Sequence, residues 1–96
     1  MRELIRSSQS EQDLVEIWRY IAADNPGAAT KLLQRIDRRI QSLPKFPFIG
    51  ESQPQFGENT RRIIEGNYLI FYDLLPDAIH VLRIYHGARK LDHLFD

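Results

Sequence analysis

The sequence predicts an α+β fold: an N-terminal strand, an antiparallel helix hairpin, and an antiparallel sheet whose last three strands form a meander. Two apolar stripes at helical spacing carry the helices: Leu14, Ile17, Trp18 and Ile21, then Ala29, Leu32, Leu33, Ile36, Ile40 and Leu43. Asp24-Asn25-Pro26 separates them, so the connection is short and the helices lie side by side in opposite directions. The strands are carried by β-rich runs from Arg61 to Glu65, Tyr68 to Leu74 and Ile79 to Tyr85, punctuated by Gly66-Asn67 and Pro76-Asp77.

Each element has a local reason. Residues 3–7, Glu-Leu-Ile-Arg-Ser, suit a short first strand. Ser8 and Glu11 stand at capping-box spacing, where each side chain accepts from the other's unpaired backbone N–H. Asn25 is the expected N-cap of the second helix, with Pro26 at its first position and Pro44 beyond its end. Lys45 to Asn59, broken by Pro47, Gly50, Pro54 and Gly57, reads as an ordered surface loop pinned by Phe46, Phe48, Ile49 and Phe56. The tail from Gly87 to Asp96 is expected to form a short helix through Leu91, Leu94 and Phe95.

Composition limits the function. Residues 1–96 suit one domain, which can bury about 60–70% of its unfolded surface. Apolar and charged shares of 43% and 27% are ordinary for a globular chain, which argues against disorder. There is no cysteine, hence no disulfide or thiolate metal site. No signal peptide or membrane span is expected, because the longest apolar run is Tyr68 to Tyr72, and a cytoplasmic location follows. Thirteen basic residues balance thirteen acidic ones, so any nucleic-acid role must rest on a local cluster.

Turn chemistry sets register, and register sets faces. Two-residue loops at both turns pair Ile63 with Ile70, Arg61 with Tyr72 with Val81, Ile70 with Arg83, and Tyr68 with Tyr85. One face then carries Ile64, Leu69, Phe71, Leu82 and Ile84, with Arg62, Asp73 and His80 at its end, and the helices are expected there. The other carries Arg61, Ile63, Glu65, Tyr68, Ile70, Tyr72, Val81, Arg83 and Tyr85. It is expected to be open and suited to recognition, although such residues are also ordinary on a solvated sheet face. Trp18 is assigned to the core, where its truncation would cost about 3–5 kcal/mol. The charged run from Glu11 to Arg19 reads as a solvated helix face.

The segment RRIIEGNYLIFYDLLPDAIHVLRIYHGARK, Arg61 to Lys90, resembles the RelE/ParE superfamily of toxins from type II toxin–antitoxin modules. The order of an Arg-initiated strand, Gly-x-Tyr-x-Ile-x-Tyr and Val-Leu-Arg-Ile-x-His-Gly-Ala-Arg carries the likeness. DLVEIWRYIAADNPGAA and LPKFPFIG extend it over nearly the whole chain. The HGAR ending and the Asn-Pro between the helices resemble the ParE branch more than RelE. The resemblance implies a RelE/ParE-like fold and a growth-inhibiting toxin, plasmid stabilization being among such modules' roles. A cognate antitoxin would neutralise it by wrapping its C-terminal segment across the toxin in a hetero-oligomer, and operator DNA would be reached only through that complex. ParE-type members imply DNA gyrase as target and no bond-making site, whereas RelE-type members imply ribosome-dependent cleavage of messenger RNA.

These alternatives ask different things of the residues. RNA cleavage needs proton transfer and cations around the developing phosphorane charge. Arg61 and Arg83 resemble the phosphate-stabilising arginines of RelE-like nucleases by position, with His86, or Tyr85 or Glu58, for proton transfer. The ParE reading makes Arg61, Tyr68, Tyr72, Arg83, Tyr85, His86 and Arg89 binding residues, with no catalytic group. The arginines could equally form ion pairs, with Glu65 for example. His80, His86 and His93 lack an acidic pair at ligand spacing, so no metal or other cofactor is expected, and His80 is read as a surface partner of Asp73. A non-toxic binding module is the third class.

Overall fold

A computed structural model describes residues 1–87. The expected C-terminal helix through Leu91, Leu94 and Phe95, together with Arg89 and His93, lies outside the described residues. Five strands form one sheet in the order β1-β5-β4-β3-β2, with β1 Glu3–Arg6, β2 Glu51–Ser52, β3 Thr60–Glu65, β4 Tyr68–Leu74 and β5 Ala78–His86. Helices α1, Ser8–Ala22, and α2, Pro26–Gln41, form the hairpin between β1 and β2. The α+β class and the meander β3-β4-β5 are as the sequence predicts. Strand β1 joins β5 in parallel, which makes the sheet mixed.

The local signals act as expected at most joints. Asn25 caps α2 by accepting from the Ala28 N–H at 3.1 Å, with Pro26 in the first turn. Gly66 takes the left-handed conformation, φ 59°, in a hairpin that pairs Glu65 with Tyr68. The second turn closes with Leu75 N–H donating to Ala78 O, pairing Leu74 with Ile79. The α1 cap falls one residue early: Ser7, not Ser8, accepts from the Ser10 N–H at 3.0 Å. The Ser7 N–H still extends the β1 ladder to Val81 O, so Ser7 is where the chain leaves the sheet and the helix begins.

The predicted faces are exchanged over β3, β4 and β5 as far as Leu82, whereas Arg83, Ile84 and Tyr85 keep their expected sides relative to the helices. The helix hairpin covers Ile63, Tyr68, Ile70, Tyr72, Ile79, Val81 and Ile84, which join Ile17, Leu32, Ile36, Ile40 and Leu43 in the main core. Leu69, Phe71 and Tyr85 form a second cluster on the reverse face, with Leu82 and Phe56 packed against it. Both faces of β4 are buried because it is the central strand, so its alternation does not distinguish core from solvent. Tyr72 can occupy the helix side because the loop satisfies it. The Tyr72 hydroxyl donates to Pro47 O at 2.8 Å and accepts the Gly50 N–H at 3.0 Å.

A β-bulge completes the rearrangement. Tyr72 pairs with Val81, as the turn predicts, but Phe71 pairs with Arg83. Leu82 is the extra residue on β5, so Arg83 and Tyr85 rotate to the reverse face and Ile84 replaces them under the helices. Arg61, Tyr72 and Arg83 therefore do not share an exposed face. Tyr72 is fully buried, and Ile63, Tyr68, Ile70, Val81 and Tyr85 are buried too.

Two further expectations are corrected. Trp18 is 38% exposed, at the margin of the α1 stripe, with its indole N–H 3.3 Å from the Thr30 hydroxyl. It is a packed flank residue, so the truncation cost expected of a core aromatic does not apply. Phe46, Phe48 and Ile49 are more than half exposed and do not pin the loop. Phe56 does, packing edge-on against Phe71 at 5.4 Å.

The loop depends on Gly50. A Cβ there would meet the Tyr72 hydroxyl at 2.5 Å and its ring at 2.8 Å. Since that ring is buried and hydrogen-bonded, Gly50→Ala should destabilise the chain by about 1–3 kcal/mol in a denaturant melt. An unchanged melting midpoint would show that Tyr72 does not fill this space.

Candidate functional site

The candidate residues divide between two places. The first is built on β3 and the loop before β2. Arg61 faces the helix side opposite Tyr72, where its guanidinium donates to Gly50 O at 2.7 Å and more weakly to Phe48 O at 3.4 Å. Its carbon centre lies 5.2 Å from the Phe48 ring, and that of Arg2 lies 5.7 Å from the same ring. These three side chains, with Glu58 and Thr60, line a pocket of about 450 Å³. Burial pushes the Tyr72 hydroxyl above the ordinary phenol range, opposed by its bond to Gly50 and by the Arg61 charge.

The second place is the edge of β5. Strand β1 pairs only as far as Val81, and beyond it the side chains of Ser7, the N-cap of α1, and of Asp13 within α1 take over. The Ser7 hydroxyl donates to Leu82 O at 2.8 Å. Asp13 accepts the Ile84 N–H at 2.9 Å, and both its oxygens accept from Arg83, at 2.9 and 3.0 Å. Asp13 is 8% exposed and lies on the apolar stripe beside Ser10 and Ile17, not on a solvated face. The hydrogen bond to Asp13 holds Arg83 above its already high ordinary pKa. Arg83 also stacks over Tyr85 at 4.6 Å, and burial raises the Tyr85 hydroxyl against the opposing Arg83 charge. His86, paired across the strands with Tyr68, meets that ring edge-on at 5.1 Å and is partly exposed.

Glu65 is not the partner of either candidate arginine; it lies 3.6 Å from Arg35 and 3.8 Å from Arg39. His80 stands opposite Asp73, as the turn predicts, but the Asp73 carboxylate accepts the Thr60 hydroxyl at 2.7 Å. Among the described residues no group of three or more His, Cys, Asp or Glu side chains is placed to hold a metal ion. No described helix is long and apolar enough to cross a membrane.

Comparison with known proteins places this architecture. Residues 4–91 match the family described as the ParE toxin of the type II toxin–antitoxin system parDE. The chain belongs to the ParE toxin family. A curated relative, Toxin RelE1 of Caulobacter vibrioides, is 31% identical over 88 residues, covering 88% of this chain and 91% of the relative. Among solved structures, the chromosomal ParDE toxin–antitoxin system from P. aeruginosa superposes with a TM-score of 0.75 at 22% identity. It covers 90% of this chain and 96% of the other, a likeness of fold.

For this ParE-family toxin, the geometry separates the two arginines on which RNA cleavage would converge. Arg61 is tied to loop carbonyls on the helix side, and Arg83 is clamped by Asp13 from the reverse face. Sequence reasoning missed Asp13 and Arg2, and took Phe48 for a loop anchor alone. The signal for Asp13 was a carboxylate within an apolar helical stripe, which marks a buried partner. Nothing local singles out Arg2 and Phe48, which meet only through the fold.

Asp13→Ala should destabilise the toxin by about 2–3 kcal/mol, since it removes a charged acceptor from Arg83 and from the Ile84 N–H. A loss below about 0.5 kcal/mol in a denaturant melt, the range of ordinary surface substitutions, would contradict the clamp. The two raised tyrosines set an alkaline limit. They keep their protons in the fold at pH values where an unfolded chain loses them, so their contribution is intact below about pH 10 and is lost as pH rises through the folded values. In pH-dependent melts, Tyr72→Phe should flatten the alkaline loss of stability; an unaltered slope would assign it to other groups.

Proposed function

We propose that this chain is the toxin of a type II toxin–antitoxin pair, held inactive by a cognate antitoxin and directed at DNA gyrase. The observation that carries the choice of target is the separation of Arg61 and Arg83 onto opposite faces, each engaged by the protein's own acceptors. Stabilising a phosphorane needs cations aimed at one point before the reaction begins. Arg83 is instead saturated on two of its nitrogens by a carboxylate, which offsets the charge it would lend to a phosphate. A toxin that acts by binding needs no such convergence, and an intact clamp serves it by holding the β5 edge.

RNA cleavage is the second reading, favoured by one observation: the Caulobacter relative is named a RelE toxin. It would require Arg83 to leave Asp13 and turn, with His86 or Glu58 supplying proton transfer.

A purified gyrase supercoiling assay beside an in vitro translation assay with labelled message separates the two. Inhibited supercoiling or trapped cleaved DNA, with the message intact, is the expected result. Message cleavage with supercoiling untouched would overturn the proposal and make Arg61, Arg83 and His86 catalytic candidates.

A further inference from the structure

Helix α2 carries an unusual concentration of positive charge. Lys31, Arg35, Arg38 and Arg39 fall within about 100° of helical arc, at 3.6 residues per turn. Lys45 continues the run after the helix, and all but Arg39 are exposed. Because the whole chain is neutral, this excess is a local feature. Asp37, in the same stretch, turns away to pair with Arg6 on β1.

The stripe borders a groove of about 490 Å³ lined by Arg35, Arg38, Arg39, Phe46, Ile49 and Glu65. Glu65 is the groove's carboxylate, and its distances of 3.6 and 3.8 Å to Arg35 and Arg39 are too long for good hydrogen bonds. The buried Arg39 Nε has no hydrogen-bond partner among the described residues. Neither Lys31 nor Arg38 has an ion pair among them. Phe46 and Ile49, which line the groove, are 52% and 53% exposed.

We propose that this groove docks an acidic, apolar-bearing segment of a partner protein. Carboxylates about one helical turn apart, near 5.4 Å, would follow the cation spacing along α2. Apolar side chains at one end of the segment would cover Phe46 and Ile49. A nucleic-acid backbone matches the charges but leaves Phe46 and Ile49 wet and meets the Glu65 carboxylate with like charge, which makes it the poorer fit. The groove's lining includes neither Arg61 nor Arg83, and the proposal does not depend on the identity of the toxin's target.

The test uses the purified full chain and fluorescence anisotropy. The probe is a labelled synthetic peptide with glutamates one helical turn apart and leucines between them. A second peptide replaces the leucines by serine, and a short duplex DNA is the third probe. The first peptide should bind more tightly than either other probe, with affinity falling as salt is raised. Lys31→Glu with Arg38→Glu should weaken it roughly tenfold, and Phe46→Ser should weaken it without altering the salt dependence. These positions are exposed, and unchanged thermal melts verify that the variants are folded. Absence of peptide binding, binding unmoved by both variants, or tighter binding of duplex DNA that the charge reversal abolishes would each overturn the proposal.

Discussion

Strand β5 is longer than the strand that flanks it, and most of this molecule's arrangement follows from how the excess is closed. An edge that runs past its partner exposes unpaired N–H and C=O groups, which invite association. Here β1 ends at Arg6, and Ser7 and Asp13 of the following turn and helix reach over to Leu82 and Ile84. The same Asp13 carboxylate takes the Arg83 guanidinium from the reverse face. One acidic residue thereby fixes the uncovered end of β5, the approach of α1, and the orientation of the arginine after the bulge.

The bulge at Leu82 and the loop before β2 are complementary parts of that arrangement. By inserting one residue, the bulge puts Ile84 under the helices and sends Arg83 and Tyr85 to the other side. The loop returns the favour on β4, where Pro47 O and the Gly50 N–H satisfy a tyrosine hydroxyl that would otherwise be costly to bury. Without those partners the buried Tyr72 hydroxyl would cost about 1–3 kcal/mol of stability.

This explains which parts of the molecule were legible in its sequence. The helix stripes, Asn25-Pro26, Gly66-Asn67 and Pro76-Asp77 act within a few residues, so their periods and caps could be read directly. The choice of face could not, because β4 is apolar on both sides and its Tyr72 is satisfied by residues more than twenty positions away. A single inserted residue at Leu82 parted Arg83 and Tyr85 from the face of Arg61 and Tyr72, so that they lie away from the helices, as expected, only because the bulge offsets the exchange of faces, and no glycine or proline marks it. The family, by contrast, was legible from the order of strand motifs, which survives such local changes. Asp13 lay in view as a carboxylate in an apolar stripe, yet reading it as solvated hid the clamp. The Arg2–Phe48–Arg61 arrangement had no local signature at all.

The functional consequence is a toxin whose two candidate arginines are engaged in holding its own fold. Amide hydrogen exchange at Ile84 probes that engagement most directly, because a strand residue at an uncovered edge exchanges through local opening while a bonded one waits for larger unfolding. If Asp13 closes the edge, the Ile84 amide exchanges as slowly as core amides of β4 and becomes fast in Asp13→Asn. Fast exchange at Ile84 in the unaltered protein would mean that the carboxylate does not hold the strand, and that Arg83 is available for other chemistry.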